Sequence, residues 1–117
     1  MSDGIWSYRS TTRPSAGADL TGYKVETTDG GIGKVDKHSD DVASSFLVVD
    51  TGPWIFSRHV MIPAGTVQRI DKSERTIYVD LTRSQVKDAP EFDPDKHIRD
   101  ANYHSQLGNY YQNHHGI

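Results

Sequence analysis

Asp36 and His38 stand two residues apart in an alternating segment, which places a carboxylate and an imidazole on one face of a strand. His59 lies in a second strand-like segment from which it can approach them. A carboxylate–imidazole pair has the residue types that acid–base chemistry uses. No nucleophile motif accompanies it. Gly30-Gly31-Ile32-Gly33 follows a hairpin signal and opens no helix, so it lacks the context of a phosphate-cradling loop. Cross-strand polar pairing is the simpler reading of these residues. The chain has 6 histidines. His114 and His115 are adjacent, and His97 and His104 are two helical turns apart rather than the i, i+4 pair that puts two ligands on one zinc. Cysteine is absent, which excludes a disulfide, a thiolate nucleophile and a Cys-based zinc site. The expectation is a non-enzymatic protein with no metal and no cofactor.

The elements that carry these residues are short. From Asp19 to Asp88 the chain reads as six strands separated by tight turns, with no helix among them. Tyr23 to Thr27 alternates, and Asp29-Gly30-Gly31 supplies residues that tolerate positive φ at a hairpin. Ile32 to Ser39 is the second strand. Its Gly33 signals a bulge or a close backbone approach. Phe46 to Asp50 is apolar on both faces, as expected of a strand packed on two sides. Arg58 to Pro63, Val67 to Asp71 and Thr76 to Leu81 follow. The alternation points inward Val25, Val35, Leu47 or Val48, Ile62, Ile70, Ile77 and Val79. Thr82 can cap a short helical turn over Arg83 to Lys87. Asp93-Pro94 starts a second helix, Asp95 to Leu107, which Gly108 would stop.

Length and composition set the bounds. The 117 residues suffice for one domain with extensions. Apolar residues make up 34%, and the shortfall from an ordinary globular protein sits at the two ends. A net charge of −3, with Lys24, Lys34, Lys37, Arg58, Arg69, Lys72 and Arg75 interleaved with acids, gives no general pull toward nucleic acid. No segment has the roughly 18 consecutive apolar residues of a membrane span. The polar start lacks the apolar stretch of a secretory signal, so a cytoplasmic location is expected. Residues 1–18 read as a flexible arm, 19–94 as the β domain and 95–117 as a helical and polar tail. Both ends should be mobile unless a partner subunit holds them, with Trp6, Tyr8, Tyr110 and Tyr111 as anchors.

Several stretches together resemble a PRC-barrel domain. They are Asp19-Leu20-Thr21-Gly22-Tyr23-Lys24-Val25, Asp29-Gly30-Gly31-Ile32-Gly33-Lys34-Val35, Phe46-Leu47-Val48-Val49-Asp50, and His59-Val60-Met61-Ile62-Pro63 followed by Val67-Gln68-Arg69-Ile70. Gln85-Val86-Lys87-Asp88-Ala89-Pro90 resembles the helical turn and proline that follow the family's last strand. The resemblance spans roughly residues 19–94. It implies a small six-stranded antiparallel β-barrel with, here, a short C-terminal helical extension. It also implies an adaptor role without catalytic residues, as in stand-alone bacterial members, some of which are associated with stress responses.

The expected function is therefore that of a protein-interaction module, self-associating as a homodimer and serving an unidentified protein partner. The expected interface residues are Phe46, Val48, Trp54, Ile55, Phe56 and Met61, because aromatics and methionine concentrate at interface cores. The alternative for Trp54 and Phe56 is a plug at one end of the barrel. Two other roles follow from the resemblance. One is an RNA- or ribosome-associated maturation factor. The other is an accessory of photosynthetic electron transfer like the reaction-centre H subunit.

Overall fold

A computed structural model of the chain describes residues 5–8, 19–41, 44–52 and 59–114. Six strands form one sheet: β1 (Lys24–Thr27), β2 (Gly30–Asp41), β3 (Ser44–Asp50), β4 (His59–Pro63), β5 (Val67–Asp71) and β6 (Thr76–Val79). Three helices follow, α1 (Arg83–Lys87), α2 (Pro94–His97) and α3 (Ala101–His114). The order across the sheet is β4-β3-β2-β1-β6-β5.

The sheet is mixed and open, which corrects the expected antiparallel, closed barrel. β1 and β6 pair in parallel, with Val25 opposite Ile77, while every other pair is antiparallel. The reason is the connection from β4 to β5. It is a single 3-10 turn, Ala64–Thr66, closed by the Thr66 hydroxyl donating to the Pro63 carbonyl at 2.8 Å. It carries the chain forward instead of reversing it. The other four connections each reverse direction, so β6 returns to β1 running the same way. β4 and β5, the two edges, share no ladder. A flat sheet would hold those edges about 24 Å apart, at roughly 4.8 Å per strand. The turn between them spans at most about 14 Å. The sheet must therefore curl.

The curl buries one apolar face. Val25, Val35, Ile62, Ile77 and Val79 are buried as expected, and Ile70 is half-buried against the core. Leu47 and Val48, of which alternation allows one on this face, are both buried because β3 is covered on two sides. β2 curls most. It loses register against β1 near Gly33, and against β3 between Val35 and Lys37. Gly33 has a φ of +148°, and a Cβ there would sit 2.0 Å from the Asp50 carbonyl oxygen. Only glycine fits.

The two ends pack back on the sheet of this single chain. The Ile5 carbonyl accepts from Gly65 N–H at 2.7 Å, and the Trp6 carbonyl from Ser45 N–H at 2.8 Å. Ile5 and Tyr8 are buried. The Trp6 indole stacks on His104 of α3 at 5.0 Å and meets the Phe46 ring edge-on at 6.4 Å. α3 runs through Gly108 rather than stopping there. The glycine is a contact point: a Cβ would lie 2.8 Å from the Trp6 indole nitrogen. Tyr111 is wholly buried, and the Tyr110 hydroxyl donates to the Gln85 carbonyl of α1 at 2.7 Å. The anchors named from sequence, Trp6, Tyr8, Tyr110 and Tyr111, all pack within the single chain, while residues 1–4, 9–18 and 115–117 lie outside the described residues.

The helix starts follow the sequence. Thr82 and Gln85 form a reciprocal capping box, and Asp93 caps α2 ahead of Pro94. Asp29 links the β1–β2 turn to α1. Its carboxylate accepts from Arg83 N–H at 2.8 Å and from the Thr27 hydroxyl at 2.9 Å. These bonds, the Arg83 amide first, hold the carboxyl below the usual carboxylate range.

Two outcomes follow. Gly108→Ala should lower the melting temperature even though alanine is the better helix former by about 1 kcal/mol, because the added methyl enters the Trp6 contact. A raised melting temperature would show that Trp6 is not clamped there. For Asp29, a depressed folded pKa contributes stability above the unfolded value and loses it as pH falls through the folded one. Stability should therefore be lost on the acid side, as pH falls from the ordinary carboxylate range through the lowered folded value. Acid unfolding of Asp29→Asn should show a shallower drop over that window.

Candidate functional site

The polar constellation read from sequence separates in the fold. His59 Nε2 lies 3.7 Å from an Asp36 carboxylate oxygen, both partly exposed. His38 goes elsewhere. Its Nε2 accepts from Leu20 N–H at 3.2 Å and stands 3.7 Å from the Asp19 carboxylate. The bulge explains the split. Val35 pairs with Val49 and Lys37 with Val48, so Asp36 has no partner of its own and the alternation slips between Asp36 and His38. His38 instead ties the start of the domain to β2.

Two other histidines serve packing. His97 Nδ1 accepts from Asp93 N–H at 2.9 Å, and its ring lies parallel to Tyr103 at 4.3 Å. His104 Nε2 is 2.8 Å from the Ile98 carbonyl. A carbonyl only accepts, so that nitrogen carries a proton. Among the described residues no three His, Asp or Glu side chains converge as a metal site would require. No helix among them is long and apolar enough to cross a membrane.

Of the six residues named as an interface, three can be placed. Phe46, Val48 and Met61 are all buried within the one chain. Phe46 packs under Trp6 and His104. Met61 lies beneath the helical layer. β3 is apolar on both faces because the curled sheet covers one and the chain's own ends cover part of the other. Trp54, Ile55 and Phe56 lie outside the described residues. β3 and β4 pair with Asp50 opposite His59, so that segment belongs to the connection of a β-hairpin.

The feature most like a binding site was not legible in the sequence. A cavity of about 210 Å³ opens between β4 and the helices. Val60 and Met61 form its sheet side, and Val86 of α1 one wall. Tyr103, Leu107 and Tyr111 project from successive turns of α3, positions spaced by four. The connection from Lys87 to Phe92 forms the mouth. Two tyrosines differ in what they do there. The Tyr103 hydroxyl donates to the Pro90 carbonyl at 3.0 Å, tying α3 to the mouth. The Tyr111 hydroxyl is buried with no hydrogen-bond partner. Burial pushes both hydroxyls well above the usual tyrosine range, with the Glu91 charge adding to the effect at Tyr103. Both remain protonated donors at any physiological pH.

The sequence held one signal for this site. Tyr103, Leu107 and Tyr111 make an i, i+4, i+8 stripe, but it runs across Gly108, which reads as a stop. In comparison with known proteins, the chain matches no family model and no curated protein.

The two tyrosines should respond oppositely to loss of the hydroxyl. Tyr103→Phe should destabilise by about 1 kcal/mol, the net worth of a neutral hydrogen bond, and leave the Pro90 carbonyl unpaired. Tyr111→Phe should be neutral or stabilising, because it removes a buried polar atom that has no partner. Urea unfolding of both variants checks the contrast.

Proposed function

We propose that the chain is a non-enzymatic interaction module of the PRC-barrel type, which pairs as a homodimer through apolar surface that includes the Trp54-Ile55-Phe56 connection and serves a further protein partner. One observation carries the reading. Phe46, Val48 and Met61, the other apolar residues suited to an interface, are already covered by the chain's own ends and helices. The bulky triplet Trp54-Ile55-Phe56 stands in sequence between β3 and β4, and aromatic side chains concentrate at interface cores. Connections between strands tolerate variation and carry recognition while the sheet beneath them stays rigid.

The bonds of Ile5 and Trp6 to Gly65 and Ser45 also suit an adaptor. A pre-ordered surface needs little further ordering on binding, which lowers the entropic cost of association. The short, charged β5, with Arg69 at its bulged end, makes poor pairing material, so strand addition at that edge is disfavoured.

Sedimentation of the full chain tests the reading. A dimer is expected at tens of micromolar. Trp54→Asp should give a soluble monomer with a near-native melt, because an unpaired carboxylate costs several kcal/mol in an interface and almost nothing on an exposed surface. Loss of the cooperative transition would mean that Trp54 plugs the fold. A wild-type chain that stays monomeric at high concentration would end the dimer reading.

A further inference from the structure

Four histidine side chains are described, at positions 38, 59, 97 and 104, and their ring nitrogens answer acid in two opposite ways. His38 and His97 accept hydrogen bonds from backbone amides. His38 Nε2 takes the Leu20 N–H at 3.2 Å, and His97 Nδ1 takes the Asp93 N–H at 2.9 Å. A backbone N–H only donates, so neither nitrogen carries a proton in this fold. A proton added to either would set one N–H against another and break the bond.

His59 and His104 respond in the other sense. His59 lies 3.7 Å from the Asp36 carboxylate, and a charged ring holds that partner more tightly. His104 already donates from Nε2 to the Ile98 carbonyl, and a second proton on Nδ1 leaves that bond in place. Its ring stacks on Trp6 at 5.0 Å, where a charged imidazole gains a cation–π contact.

The two acceptor histidines stand at joints. Leu20 is the buried residue by which the chain enters the sheet. Its amide bonds to His38 of β2, and its carbonyl accepts from Tyr23 N–H at 3.1 Å. Asp93 opens α2. Phe92, just before it, is buried against Tyr103 of α3, and the His97 ring lies parallel to the same tyrosine at 4.3 Å. The amide bond to His97 therefore fixes the connection between α1 and α2 against α3.

The charges around each ring give its protonated form a new partner. His38 faces the Asp19 carboxylate, 3.7 Å from the same Nε2 that serves Leu20, with Lys37 beside it in β2 and the apolar Leu47 opposite it in β3. His97 has Asp93, Asp95 and Lys96 on α2, Glu91 in the connection before it, Arg99 and Asp100 in the link to α3, and the Tyr103 ring on α3. Acids outnumber cations there, which favours an imidazolium. Each ring can exchange an amide for a carboxylate. Because one bond is gained as another is lost, the exchange alters local conformation more than overall stability.

We propose that His38 and His97 are a pair of acid-sensitive latches: as pH falls through the range where histidine changes charge, both rings let go of their backbone amides and free the Leu20 and Asp93 joints, while the sheet and the Trp6–His104 contact hold. That range lies above the carboxylate range in which Asp29 acts. The device is independent of self-association, since every group in it belongs to one chain.

The test is NMR of the full chain, isotope-labelled in nitrogen, at about pH 7.5 and about pH 5, on either side of the ordinary histidine range. An N–H···N bond transmits a scalar coupling between its two nitrogens. At the higher pH, couplings should join Leu20 N to His38 Nε2 and Asp93 N to His97 Nδ1, and both should vanish at the lower. Exchange protection of the Leu20 and Asp93 amides, corrected for the intrinsic effect of pH, should fall about tenfold, the worth of one hydrogen bond, while that of Val49 and Ile77 in the sheet stays unchanged. Asp19→Asn should move the His38 transition to lower pH and leave the His97 transition in place. His97→Gln, whose amide oxygen accepts but does not titrate, should make protection at Asp93 independent of pH. The proposal is overturned if either nitrogen carries a proton at the higher pH, if either coupling persists at the lower, if protection falls across the whole sheet together, or if either variant leaves its transition as in the wild type.

Discussion

A three-residue turn joins the two edge strands of this sheet, and most of the architecture follows from that constraint. Because Ala64–Thr66 carries the chain forward from β4 to β5, the sheet has to coil until its edges approach, yet those edges run head to tail and cannot pair. The same turn makes β6 parallel to β1. Coiling needs relief along the longest strand, and β2 supplies it with two breaks of register and a glycine pressed against the Asp50 carbonyl. An open sheet with a buried face then needs cover, and among the described residues the segment 5–8 and α3 supply part of it.

That cover is aromatic. Trp6 brings the N-terminal segment against Phe46 of β3 and His104 of α3, so three parts of the chain distant in sequence meet in one cluster. Each such ring pair contributes about 0.5–1.5 kcal/mol beyond the area it buries. Two backbone bonds at Ser45 and Gly65 set the segment's position. α3 has few purely apolar side chains: six of its fourteen residues are Asn, Ser or Gln, and five more are His or Tyr. Tertiary contact, rather than intrinsic propensity, holds it.

The chemistry of the chain follows from the same geometry. A bulge at Asp36 sends His38 to Leu20 and leaves His59 with Asp36, so the acid–base grouping suggested by spacing is divided between two structural roles. His97 and His104 are absorbed by ring stacking. What remains is a cavity of about 210 Å³ between β4, α1 and α3, and close to it the buried Tyr111 hydroxyl has no hydrogen-bond partner.

Local patterns determined the strands, their inward faces and the capped starts of α1 and α2, because each depends on residues within a few positions of one another. Alternation marks a buried face wherever it lies in the chain, and a Thr or Asp ahead of a helix satisfies an orphan amide whatever surrounds it. Strand direction and closure depended on whether one short turn reversed the chain, and alternation is silent on that. Gly108 shows the limit clearly. By local rule it ends a helix, but here the missing Cβ admits the Trp6 indole, a residue more than a hundred positions away. The cavity was hidden for the same reason. It is the space left between β4, α1 and α3, and such a space exists only once long-range packing has brought its walls together.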